Sequence, residues 1–161
     1  MQNFPITIDG FQKLQSEIKK LKTEDRPKII EAIATARELG DLSENAEYHA
    51  AKEQQSFIET KIMDLEDKSS RSEIIDITKL SGNQVKFGAT VSLQDLDNDK
   101  TVTYIIAGEY EANLQKCIIS MLSPIARALI SKKEGEIIEI QTPGGEKAYQ
   151  ILSVKFEPFN I

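Results

Sequence analysis

Few residues in this chain are equipped for chemistry, and the carboxylates Asp41 and Glu44 stand out among them. They flank Leu42-Ser43 in the polar run Gly40-Asp41-Leu42-Ser43-Glu44-Asn45. Three positions apart at a helix start, both side chains can lie on one side of an exposed turn. Carboxylate oxygens suit Mg²⁺, which takes one or two protein carboxylates and fills its other positions with water and phosphate oxygens. Two such groups on a protruding tip can bring a metal to another protein's site. In two-metal phosphoryl transfer the extra ion activates water and stabilises charge on the attacking and leaving oxygens. The same Asp-x-x-Glu spacing is also a variant of the capping box, with Asp41 accepting from a backbone N–H and Glu44 reaching back. Spacing alone leaves both readings open.

Other catalytic chemistries lack their residues. The chain has one cysteine, Cys117, and one histidine, His49, so it holds no internal disulfide, and a Cys/His zinc site would need a partner chain. It has no glycine-rich phosphate loop and no G-x-S-x-G elbow. His49 is assigned no chemistry, and carboxylates are left as the carriers. A net charge of −6 and a pI near 5.0 lack the basic character that favours non-specific binding to a phosphate backbone, so any nucleic-acid contact is local. No apolar run approaches the roughly 20 residues of a membrane span, and Met1-Gln2-Asn3-Phe4-Pro5 lacks a signal-peptide pattern. These features predict a cytoplasmic protein with no membrane partner.

The acidic pair needs a rigid support, and the flanking sequence supplies one. Phe11, Leu14, Ile18 and Leu21 step by 3, 4 and 3, the seam spacing of a helix packed on another helix. The seam resumes at Ile29 or Ile30, then Ile33 and Ala36, after a shift of about one residue that coincides with Pro27. A proline in a helix predicts a kink or short break near Arg26. A return helix is expected from about Ala46 to Ile74, with Ala51, Gln55, Ile58, Ile62, Leu65 and Ser69 on its seam. The short Leu39–Asn45 connection forces the two helices antiparallel, with Gly40 as the helix stop. From Asp9 to Leu39 the helical rise gives a rod roughly 45 Å long with the acidic turn at its far end. Tyr48 is placed to pack under that turn.

Helical period is lost after Asp76. The expected organisation is α+β: residues 1–76 form a helical coiled-coil hairpin, 77–84 a linker, and 85–161 a small antiparallel sheet domain with a short helix. Its strands are read at 89–93 and 101–106 around Asp95–Lys100, and at 136–142 and 148–156 around Pro143-Gly144-Gly145-Glu146. Ser123–Ile130 reads as the helix, with Pro124 in its first turn. Residues 1–76 hold 11 Lys/Arg against 16 Asp/Glu and residues 77–161 hold 9 against 10, so the hairpin carries most of the negative charge.

The stretch from Ala36 through Asp41, Glu44, Tyr48 and Lys52 to Gln55 resembles the tip signature of the GreA-type transcript-cleavage factors. Arg26–Ile30, Phe87–Val91, Ser123–Ile130 and Thr142–Glu146 resemble further blocks of that family in the same order, so the resemblance covers nearly the whole chain. It implies a coiled-coil hairpin joined to a domain of the FK506-binding-protein fold type. That domain is expected to dock at the rim of the secondary channel of a bacterial RNA polymerase while the hairpin enters. Asp41 and Glu44 fall on the family's catalytic acidic positions, which are thought to hold a Mg²⁺ jointly with the polymerase, none being bound stably by the factor alone. The factor then stimulates the polymerase's own cleavage of backtracked RNA and is not itself a nuclease. Arg37 and Lys52 fall where the family's basic patch meets the nascent RNA 3′ end, although such charges also serve as helix-pairing or solvated groups. A monomer is expected. The chain departs from the pattern at Ser131, where relatives often carry glycine, and at Ser43, a tip position that is often basic.

Two rival functions share parts of this reading. The sheet domain's expected fold allows a prolyl isomerase, whose pocket would have to be assembled from residues such as Phe87, Tyr104 and Tyr149 in a chain with no tryptophan. A non-catalytic binder occupying the same channel is the other.

Overall fold

The computed structural model describes residues 2–161. They form two compact units, residues 12–71 and residues 3–11 with 72–161.

The first unit is the helical hairpin. Strand β1 (Phe4–Thr7) leads into helix α1 (Ile8–Lys20), which continues through a five-residue π-helical stretch, Leu21–Asp25, into α2 (Arg26–Arg37). The return helix α3 is Ala46–Ser70. The break expected at Pro27 is absent. Instead the Arg26 N–H reaches back five residues to the Leu21 carbonyl, and the residues on either side of the stretch stay helical. A π turn absorbs one extra residue. The buried seam runs Leu14, Ile18, Leu21, then Ile29, Ile33 and Ala36, so the step from Leu21 to Ile29 is one longer than a heptad. The wide turn takes up that residue and keeps both halves facing α3, which presents Ala51, Ile62 and Leu65 from its side. Ion pairs join the two arms: Lys22 with Glu66, Arg26 with Glu59 through two bonds of 2.8 and 2.9 Å, and Lys61 with Glu17 at 3.0 Å. The forked hydrogen bond raises the pKa of Arg26 and lowers that of Glu59.

The return helix ends earlier than its expected limit at Ile74. Ser72–Ile75 is strand β2, paired in parallel with β1 from Phe4↔Ser72 to Thr7↔Ile75. Both strands belong to the second unit, so the hairpin's compact part is narrower than the expected 1–76. The segment expected as a linker is partly ordered as well. Ile77–Lys79 is a 3-10 turn capped by Asp76, which accepts from Thr78 N–H at 3.0 Å and Thr78 Oγ1 at 2.6 Å. Ile77 Cγ2 lies 2.2 Å from where a Cβ on Gly88 would stand, and Gly88 has φ +86°, so only glycine fits there.

The second unit is built on a five-stranded sheet of order β5-β4-β3-β7-β6. Its strands are β3 (Thr90–Asp95), β4 (Thr101–Ala107), β5 (Ile118–Ser120), β6 (Ile137–Thr142) and β7 (Gly145–Lys155). Three pairings are antiparallel as expected, but β4 and β5 run parallel from Ile105↔Ile118 to Ala107↔Ser120. The sheet is therefore mixed. The segment between β4 and β5 is not a tight hairpin: it makes two 3-10 turns, Glu109–Glu111 and Leu114–Lys116, and turns at Cys117 with φ +58°. Helix α4 (Pro124–Leu129), capped by Ser123, drops Ala126 and Leu129 onto Val91, Leu93, Ile106, Ile138 and Ile151. Tyr104 and Tyr149 pack half-buried against this core, and burial raises the Tyr104 pKa. Ser131 keeps the turn that glycine would favour by adopting φ +77° itself, with its N–H bonded to the Val85 carbonyl at 2.9 Å.

A buried carboxylate fastens β1. Glu111 is 3% exposed and accepts from the Thr7 N–H, the Thr7 hydroxyl and the Gly108 N–H. Added Cβ atoms would stand 2.6 Å from Glu111 Oε2 at Gly10 and 2.3 Å from the Pro5 carbonyl oxygen at Gly108, so both glycines admit the close approach.

Candidate functional site

The turn between α2 and α3 is assembled from local hydrogen-bonding chemistry. Helix α2 stops as the Leu39 N–H bonds the Ala36 carbonyl at 3.1 Å and Gly40 takes φ +124°, a conformation that L side chains rarely adopt. Asp41 then caps a 3-10 turn, Leu42–Glu44. Its Oδ1 accepts both the Ser43 N–H and the Ser43 hydroxyl at 2.9 Å. Those bonds, the backbone one first, hold the Asp41 carboxyl below the usual carboxylate pKa. Asp41 is ionised at neutral pH, and no hydrogen bond among the described residues engages its Oδ2.

Glu44 follows one 3-10 turn later. In that geometry residues three apart stack on one side, which favours a common face for the two carboxylates. Both are exposed, and among the described residues no hydrogen bond or ion pair engages Glu44. The capping box allowed by Asp-x-x-Glu does not form. Asp41 caps only the 3-10 turn, and the cap of α3 is Asn45, whose Oδ1 accepts the Tyr48 N–H at 3.0 Å. Asn45 is the residue that sequence reasoning missed. Its position at the start of a helix was a signal, obscured by three other capping types next to it.

Beneath the turn, Tyr48 packs on Ile29, Ile33 and Ala51, as expected of a residue supporting the tip. The Arg37 guanidinium lies over its ring, 5.7 Å from the centroid, and His49 meets its edge at 5.6 Å. Arg37 and Lys52, from opposite helices, line one shallow groove with Ile30, Ala34 and Gln55. Lys52 Nζ donates to Gln55 Oε1 at 3.3 Å. Another groove along the same helix pair carries Lys28, Glu31 and Glu47, so its charged lining is mainly acidic whereas that of the Arg37/Lys52 groove is basic.

The donor set matches a hard cation in type but not in number. Asp41 and Glu44 offer carboxylate oxygens, the ligands Mg²⁺ prefers. Among the described residues no group of three His, Cys, Asp or Glu side chains is placed to hold a metal. These two carboxylates could supply only part of a metal's coordination shell.

Family models match nearly end to end: "Transcription elongation factor, N-terminal" over residues 4–74 and "Transcription elongation factor, GreA/GreB, C-term" over residues 80–156. The chain belongs to the GreA/GreB family of transcription elongation factors. Within that family it is similar to the transcription elongation factor GreA of Caulobacter vibrioides, 54% identical over 97% of this chain and 99% of that one. It is 56% identical to GreA of Rickettsia prowazekii over 98% of both. Among solved structures, the GreA factor homolog 1 (Gfh1) protein of Thermus thermophilus is 24% identical over 96% of this chain and 99% of that one, with a TM-score of 0.45. No helix among the described residues is long and apolar enough to cross a membrane.

Proposed function

We propose that this elongation factor binds a bacterial RNA polymerase, enters its secondary channel tip first and stimulates the polymerase's cleavage of backtracked nascent RNA. One observation carries the reading: two exposed carboxylates belong to the one turn that joins the arms of the hairpin, one bonded only within that turn and the other unengaged. Glu44 and Oδ2 of Asp41 would serve as ligands, and the remainder of the coordination would come from the polymerase. A Mg²⁺ held this way supplies activation of water and neutralisation of charge at the scissile phosphate. The work of the chain's own residues is to present oxygens in the right place. Ser43 fixes the Asp41 side chain with two hydrogen bonds, Tyr48 supports the turn, and Arg37 with Lys52 attracts the phosphates of the extruded RNA. In this reading the polymerase, not the factor, carries out the cleavage.

The test uses stalled, backtracked polymerase complexes. Asp41→Asn and Glu44→Gln are each expected to lower the stimulated cleavage rate by about a hundredfold or more, a typical loss for a group that stabilises transition-state charge. Binding to polymerase should be nearly unchanged. Arg37→Ala with Lys52→Ala should weaken RNA crosslinking to the hairpin while leaving the two carboxylates in place. Cleavage retained in both acidic variants would sink the proposal, and binding without any cleavage by the unaltered chain would establish the non-catalytic alternative.

A further inference from the structure

Asn45 bonds both arms of the hairpin with one side chain. Its Oδ1 accepts from the Tyr48 N–H at 3.0 Å, capping α3, and its Nδ2 donates to the Ala36 carbonyl at 2.6 Å, in the last turn of α2. The amide orientation follows from its partners, since an N–H can only donate and a carbonyl can only accept. Asn45 also closes the acidic turn, because its own N–H bonds the Leu42 carbonyl at 3.5 Å. On the other side of the turn stands Gly40, with open space where its Cβ would be. Asp41 is bonded only to Ser43, inside the turn. Within the turn the bonds are local, and the Asn45 side chain bonds the turn to both helices.

We infer that Asn45 is the positioning residue of the acidic tip, setting where Glu44 directly, and Asp41 through the turn, present their carboxylates. The inference rests on the cleavage role proposed above for those two groups. Its chemistry is specific to asparagine. Asp, Ser and Asn are comparably good helix N-caps, so Asn45→Asp and Asn45→Ser both preserve the start of α3. Aspartate, however, turns an acceptor toward the Ala36 carbonyl where a donor is needed, and serine is too short to span from the cap to that carbonyl. Both variants remove the bond across the hairpin; Asn45→Asp also adds a negative charge beside Glu44, which Asn45→Ser does not. Displacement of a reacting group by about 1 Å can cost roughly a hundredfold in rate.

The experiment compares the full-length chain with Asn45→Asp and Asn45→Ser on backtracked polymerase complexes. It reads the cleavage rate at saturating factor, the half-saturating factor concentration, the half-saturating Mg²⁺ concentration, and the thermal melt of the free protein. Both variants are expected to lower the saturated rate by roughly ten- to a hundredfold and to raise the Mg²⁺ requirement. Half-saturation by the factor and the melt should stay where they were. A saturated rate equal to that of the unaltered chain in either variant overturns the inference. So does a loss that appears only as weaker binding or a lowered melt in both, because Asn45 would then hold the fold and not the carboxylates. Asp41→Asn and Glu44→Gln run alongside: full cleavage in those two overturns the role of the tip, whereas their loss with unaffected Asn45 variants overturns the positioning role alone.

Discussion

Asp41 and Asp95 show how neighbouring atoms, more than residue type, decide what a carboxylate does. Each accepts a nearby backbone N–H, from Ser43 and Asp97 respectively, and each is held below the usual carboxylate pKa chiefly by that bond. Asp41 stays exposed, whereas Asp95 is 6% exposed and adds a pair with Lys147 at 3.2 Å, which raises the Lys147 pKa. A carboxylate with a depressed folded pKa contributes stability that is complete above its unfolded value, near 4, and is lost as pH falls through the folded value. Lys147 has the opposite sign: its contribution is complete below its unfolded pKa and lost as pH rises through the raised one. Asp95→Asn should therefore lower the urea midpoint of the sheet unit at neutral pH, and the difference from the unaltered chain should shrink as pH falls below about 4. A difference that persists undiminished in acid would show that Asp95 acts by packing. Asp41 and Glu44 could be singled out in the sequence as two acids beside a helix-stopping glycine, and the family resemblance, not their spacing, favoured metal chemistry over capping. Asn45 and Glu111 could not be singled out, since their partners Ala36 and Thr7 lie 9 and 104 positions away.

The first arm of the hairpin shows periodicity and proline chemistry making different demands. Pro27 by itself predicts a break, while the seam demands a continuous helix facing α3. The seam prevails. A single wide turn at Leu21–Asp25 accepts the extra residue, and Pro27 falls at the first turn of α2, where a missing N–H costs little. If the seam is the cause, Pro27→Ala will leave the Arg26 N–H bonded to the Leu21 carbonyl, visible in a solved structure of the variant. A shift to ordinary bonding, with Arg26 N–H on Lys22, would make the proline responsible. Continuity matters for the tip, because a hinge in this arm would let the carboxylates wander relative to the helices that carry them. The shift in the seam was readable beforehand. Its resolution as a π turn was not, because the same one-residue offset is met equally well by a kink.

The division of the chain follows pairing and not sequence order. Residues 3–11 lie at the start of the sequence yet belong with 72–161, since β1 pairs with β2 and Glu111 bonds Thr7. Phe4 and Ile6 are buried there, Ile6 completely. A fragment of residues 85–161, cut where helical period gives way to strand patterning, lacks both strands and leaves the Gly108 region without its cover. Each buried hydrogen-bonding group left without a partner costs about 1–3 kcal/mol. The fragment should thus unfold at lower urea than the sheet unit does in the full chain, by roughly 2 kcal/mol or more. Equal stability would mean that β1 and β2 are peripheral. The same cut shows why the boundaries were hard to read: four-residue strands carry too little alternation to separate from helix ends.

The sequence determined the features that depend on near neighbours and on composition. A seam of apolar residues at helical spacing, a Gly40 stop and a short connection leave an antiparallel hairpin as the outcome, with Asp41 and Glu44 exposed at its tip. Alternating β-branched runs around polar turns fix most of the sheet. Tertiary structure decided what depends on groups distant in the chain: the parallel β4–β5 and β1–β2 pairings, the burial of Glu111, and the bond from Asn45 to Ala36. The physical reason is that a hydrogen bond needs a partner at a particular distance and direction, which residue identity does not specify. The acidic residues could be found from the sequence, whereas what holds them in place could be seen only where α2 and α3 meet.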